Sequence, residues 1–145
     1  MGEYTYHALT AIEGVKATKP ESTFYLLADF NSFATDLQNV KIDTSQRLSE
    51  ALIIHPYHTA IVGGDSLVLE RTDFSARIAY VDYDGAKTFQ NYVENKPKTS
   101  SERLEFVKEN APKIVSGIAM IERFFEDVKN DLTSGVQKQT LITSN

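Results

Sequence analysis

The segment SARIAYVDYDG, residues 75–85, gathers the side chains best suited to chemistry. Arg77 interrupts an apolar run that ends in two carboxylates, Asp82 and Asp84. A charge taken out of water needs a partner. The planar guanidinium fork matches a carboxylate with two parallel hydrogen bonds. The ordinary outcomes for Arg77 are snorkelling from an edge strand or an internal ion pair with Asp82 or Glu70. The functional outcome is a clamp on the carboxylate of a ligand. Asp82 and Asp84 stand at the i, i+2 spacing of a magnesium or calcium site. The DxDxDG pattern and distal glutamate of a calcium loop are missing, so capping of the next helix by Asp84 is the reading.

The other polar clusters carry less. His55 and His58 lie in HPYH with no evident third ligand, which suits a turn better than a metal centre, and His7 is isolated. VGGD, residues 62–65, lacks the Lys-Ser/Thr of a phosphate loop and the spacing of a dinucleotide fingerprint, so Gly63–Gly64 reads as a hairpin or strand-end turn. No serine sits in a GxSxG elbow. The chain has no cysteine, which excludes disulfides, thiolate zinc sites and cysteine nucleophiles.

These groups must be held by a modest scaffold. The chain has 145 residues, enough for one domain with its own core, and a net charge of -5, which argues against nucleic-acid binding. No apolar run reaches the roughly 18 residues of a membrane span, and MGEYTYHAL lacks the charge and hydrophobicity of a signal peptide.

Periodicity supplies the elements. GEYTYHALTAIEG reads as a helix stopped at Gly14. VKATKP is a short strand, and STFYLLADF is a strand apolar on both faces, hence interior. NSFATDLQNVKI reads as loop. Asp43 and Gln46 suggest a capping box for SQRLSEALIIH, with Leu48, Ala51, Leu52 and His55 on one face. TAIVGG, SLVLE and ARIAYV are β-prone. Asp84 opens GAKTFQNYVEN with Ala86, Phe89 and Val93 inward, and Pro97 closes it. Thr99 and Glu102 offer a capping box for SERLEFVKEN. Pro112 starts a long helix on which Ile114, Ile118, Ile121, Phe125, Val128 and Leu132 repeat. The result is an α+β fold, a small, mostly antiparallel sheet with helices packed on one face and a long C-terminal helix.

In order and spacing, GVKATKPESTFYLLADF, a helix, TAIVGG and DFSARIAYVDYDG resemble the C-terminal small domain of class I/II aminotransferases, the fold-type-I enzymes that depend on pyridoxal phosphate. Gly14, Val15, Pro20, Phe24, Tyr25 and Leu26 fill that family's GVxxxxPxGxFYL pattern, with Ser22 in place of its glycine. Gly63 stands where the family's VxPG carries proline, and SARIAY matches its xRIxY strand. The resemblance covers roughly residues 4–131 and rests on the set of motifs together.

The resemblance implies that Arg77 is the substrate-binding residue, holding the α-carboxylate of an amino acid or 2-oxo acid. It implies that residues 1–13 are the end of an inter-domain helix, 14–132 the small domain and 133–145 a flexible polar tail. In the family, pyridoxal phosphate and its lysine belong to a large domain. Lys16, Lys19, Lys41 and Lys87 match no cofactor-lysine motif, so this chain alone is expected to hold no cofactor, no metal and no catalytic residue, and to be inactive. The implied partners are that large domain and the substrate. The implied parent is a cytoplasmic homodimer, aspartate-aminotransferase-like, without nucleic-acid or membrane contacts. Two other functions compete: a stand-alone binding module, and a small metal enzyme using Asp82, Asp84, His55 and His58.

Overall fold

Alternating burial along two central strands organises the chain. In the computed structural model, which describes residues 1–130, β2 (Tyr25–Asp29) pairs antiparallel with β4 (Ser75–Ala79), with Leu26 opposite Ile78, Leu27 opposite Arg77 and Ala28 opposite Ala76. Two short edge strands, β1 (Lys16–Ala17) and β3 (Val62–Gly63), complete a four-stranded antiparallel sheet in the order β1-β2-β4-β3. Side chains alternate across a strand. Leu26, Ala28, Ala76 and Ile78 therefore face the core and are buried, while Leu27 and Arg77 are half-buried and Tyr25 and Ala79 exposed on the other side.

Among the described residues the sheet is accompanied by six helices. They are α1 (Gly2–Thr10), α2 (Ala34–Asn39), α3 (Ser45–Ile53), α4 (Gly85–Asn95), α5 (Ser100–Asn110) and α6 (Pro112–Lys129). The periodic stripe of α6 is buried as its spacing requires, at Ile114, Ile118, Ile121, Phe125 and Val128. Phe125 stacks on Phe30 at 4.8 Å and on Phe33 at 4.3 Å, joining α6 to the end of β2 and the turn that follows. Tyr57 meets Phe124 edge-on at 5.1 Å and donates to Asp127 Oδ2 at 2.8 Å. Burial and then that hydrogen bond raise the Tyr57 pKa well above the phenol range, so the donor stays protonated. This is an α+β fold with an antiparallel sheet and a long C-terminal helix.

Helix starts follow the residues that satisfy the first backbone donors. Thr99 and Glu102 form the expected capping box of α5, Asp84 caps α4 by accepting from the Lys87 amide, and Pro112 occupies the first turn of α6. At α3 the cap is Thr44, not Asp43: the Thr44 hydroxyl accepts from the Arg47 amide, and Asp43 instead pairs with the Arg47 guanidinium at 3.4 Å. α1 stops at Thr10 with Ala11 as its C-cap and not at Gly14, which lies three residues beyond that cap in a turn at φ +91°, a conformation that L side chains rarely adopt.

Four further local expectations change. Residues 31–42 are not all loop: a 3₁₀ turn at Asn31–Phe33 leads into α2, which places Phe33, Leu37 and Val40 in the core. SLVLE is not a strand. Gly64–Leu67 form a 3₁₀ turn in which the Leu69 amide donates to Gly64 O, and Val68 stands 97% exposed. α3 ends at Ile53, so His55 falls beyond the helix and is exposed. Ala86, Phe89 and Val93 point outward from α4, because Thr88 and Asn91 take the inner side. Leu132 and the tail 133–145 lie outside the described residues.

Truncating the side chain that ties α6 to β2 should be severe. Phe125→Ala is expected to lower the unfolding free energy by about 3–5 kcal/mol, read as a lower urea midpoint at unchanged slope.

Candidate carboxylate-binding site

The register between β2 and β4 sets the environment of Arg77. Leu27 lies across from it on one side and Val62 on the other, both half-buried. Its guanidinium carbon lies 5.3 Å from the centre of the Tyr25 ring, within cation–π range. Thr18 borders the row: its hydroxyl accepts from the Leu27 amide at 2.9 Å, and its own amide donates to Leu27 O at 2.8 Å. Arg77 thus stands mid-strand between aliphatic walls, with an aromatic ring under its fork.

The internal partners suggested by sequence are engaged or absent. Asp82 pairs with Lys113 at 3.0 Å, and Glu70 is exposed and makes no ion pair. Among the described residues no carboxylate comes within 4.0 Å of the Arg77 guanidinium, and no hydrogen bond is made by its side chain. The other arginines that make ion pairs, Arg47, Arg103 and Arg123, do so with Asp43, Glu3 and Asp127. A half-buried guanidinium backed only by a ring keeps its hydrogen-bonding fork free for an anion. The fork selects planar, two-oxygen anions over point charges.

The ends of the strands are pinned by polar side chains that sequence reasoning passed over. Asn31 is the hinge. Its amide nitrogen donates to Asp29 Oδ1 at 2.8 Å and to Asp73 Oδ1 at 3.0 Å, while its oxygen accepts from the Phe74 amide at 2.9 Å. Asp73 Oδ1 also accepts from the Ser75 amide at 2.9 Å. The Asn31 side chain first, then Ser75, hold the Asp73 carboxyl below the usual aspartate range. On β3, a Cβ on Gly63 would come within 2.8 Å of Ser45 O at the start of α3, so only glycine lets that helix approach the sheet edge. The buried Ser45 hydroxyl donates to Asp65 Oδ1 at 2.9 Å and accepts from the Asp65 amide at 3.0 Å, fixing the turn after β3. The D-F-S and G-G-D sequences around the strands were the available signals for these contacts.

The remaining candidates do not converge. The His55 and His58 rings lie 5.6 Å apart, both exposed, and His7 is exposed against Tyr6. Asp84 is spent on the α4 cap. Among the described residues no group of three or more histidines, cysteines, aspartates or glutamates is placed to hold a metal. Gly63 and Gly64 bound a strand and a 3₁₀ turn, the structural role expected of them. Among the described residues no helix is long and apolar enough to cross a membrane.

No protein-family model matches the chain, and a search of curated proteins gives no match.

The Asp73 network has a definite pH signature. A carboxyl lowered on folding contributes stability that is complete above its unfolded pKa of about 3.9 and is lost as pH falls through the lower folded value. Asp73→Asn should flatten the acid side of the stability profile while leaving its shape near neutrality unchanged, measured by urea titration at a series of acidic pH values.

Proposed function

We propose that this chain is the small domain of a pyridoxal-phosphate-dependent aminotransferase and that Arg77 binds the α-carboxylate of its amino-acid or 2-oxo-acid substrate. One observation carries the reading: a half-buried arginine in the middle of a central strand, set over Tyr25, with no protein carboxylate in reach among the described residues. The order of sequence motifs that resembles the family converges on the same side chain.

The described residues do not fit the cofactor itself. Every lysine among them is exposed, and none is sequestered where a lysine could be held against a cofactor ring. The reading therefore assigns pyridoxal phosphate to a separate large domain, and no step of the chemistry is placed on this chain. The contribution of this domain is orientation. A bidentate grip on one end of the substrate fixes the direction of the other end, which turns an encounter into a reactive geometry. The Tyr25 ring restrains the guanidinium plane, and Leu27 and Val62 restrict water at its flanks. The same reading makes the parent enzyme a homodimer acting in the cytoplasm.

The test is calorimetric titration of the chain with 2-oxoglutarate. Wild type is expected to bind weakly and saturably. Arg77→Ala should lose at least about tenfold in affinity, equivalent to about 1.4 kcal/mol. Arg77→Lys should be impaired despite keeping its charge, because an ammonium has no fork. Equal binding by wild type and Arg77→Ala overturns the assignment.

A further inference from the structure

On the outer face of the sheet the neighbours of Arg77 are mostly apolar. Leu27 and Val62 stand directly opposite it on the adjoining strands, both half-buried. Ala79, two residues along β4, shares its face and is exposed. Tyr25 lies opposite Ala79, with its ring 5.3 Å from the guanidinium carbon. Ser75, two residues the other way, is buried, and its amide is held by Asp73. A ligand carboxylate seated in the fork would therefore extend its remaining atoms over aliphatic and aromatic surface.

Charge on the same face argues the same way. Among the residues of the four strands, Lys16 is the only cation besides Arg77. It stands on β1, two strand spacings or roughly 9.5 Å from β4, and directly opposite Asp29. Asp29 belongs to β2, the strand next to Arg77, two residues beyond Leu27. Its carboxylate accepts from the Asn31 amide and from the Asn31 side-chain nitrogen, each at 2.8 Å, which fixes the negative charge at the strand end. A second carboxylate on the ligand would meet that charge on the way to Lys16, or lose its water against Leu27 and Val62.

We propose that the Arg77 site selects monocarboxylates with an apolar tail, namely amino acids or 2-oxo acids with an aliphatic side chain, and disfavours dicarboxylates. The inference rests on the carboxylate reading of Arg77 and adds the other end of the ligand to it. It departs from the aspartate-like parent that the resemblance implies, since aspartate carries a second carboxylate. Replacing a charged end by a branched aliphatic end of similar size is worth about tenfold in affinity on this face, the usual gain for burying one or two carbon groups.

Calorimetric titration of the full chain with two acids of similar size tests it. One is 4-methyl-2-oxopentanoate, which ends in two methyl groups, and the other is 2-oxoglutarate, which ends in a carboxylate. Wild type should bind the first about tenfold more tightly. Arg77→Ala should weaken both. Ala79→Lys puts a cation at an exposed position beside the fork. It should narrow or reverse the preference by strengthening 2-oxoglutarate binding, with unchanged far-UV circular dichroism. Arg77-dependent binding in which 2-oxoglutarate is equal or tighter overturns the inference and leaves the carboxylate reading standing. A wild-type preference that a folded Ala79→Lys variant does not shift also overturns it. If neither acid binds, or if both bind Arg77→Ala as well as wild type, the carboxylate reading fails and this inference fails with it.

Discussion

The pairing of β2 with β4 decides what this domain can do. Leu27 faces Arg77 and Leu26 faces Ile78, and because side chains alternate strictly, one register sends the aliphatic residues to the helices and the guanidinium away from them. A slip of one residue would drive Arg77 into the core and Ile78 into water. The register is held at one end by Asn31, which links Asp29, Asp73 and the Phe74 amide, and at the other by Tyr80, whose hydroxyl donates to Thr23 O. The placement of a single charge rests on a handful of polar contacts at the strand ends.

The core supports that placement from below. Phe30 and Phe33, directly after β2, meet Phe125 of α6, so the longest helix is anchored to the strand that faces Arg77. Close approach of α3 to β3 through Gly63 fixes the far edge, where Val62 flanks the guanidinium. α4 and α5 meet through polar contacts to Asn110 and an edge-on contact of Tyr92 with Phe106 at 5.7 Å, while Val107 of α5 is buried in the core.

Sequence and structure agree where the signal is local. The capping box at Thr99 and Glu102, the cap at Asp84 and the stripe on α6 each depend on residues within a few positions of one another. α2 was legible in principle: Phe33, Leu37 and Val40 have helical spacing, but the polar residues between them hid it. The run SLVLE misled because β-prone residues say nothing of the turn closed by Gly64 and Leu69. α4 misled for a deeper reason. Its apolar stripe was read correctly, but which side faces the protein is decided by Asn110, 19 residues beyond Asn91 in the chain. Arg77 stood out because a charge in an apolar run is conspicuous. That no carboxylate meets it was not legible, since the pairing of Asp82 with Lys113 joins residues 31 positions apart in the chain.

Arginine side-chain NMR addresses the central claim most directly. The Nε–Hε signals of the isotopically labelled chain would be followed as a 2-oxo acid is added. The account predicts that the Arg77 signal alone moves and sharpens on saturation, as a free fork acquires a carboxylate, while the paired Arg47, Arg103 and Arg123 stay still. An Arg77 signal already protected before addition, or one that moves no more than those of the other arginines, would contradict it.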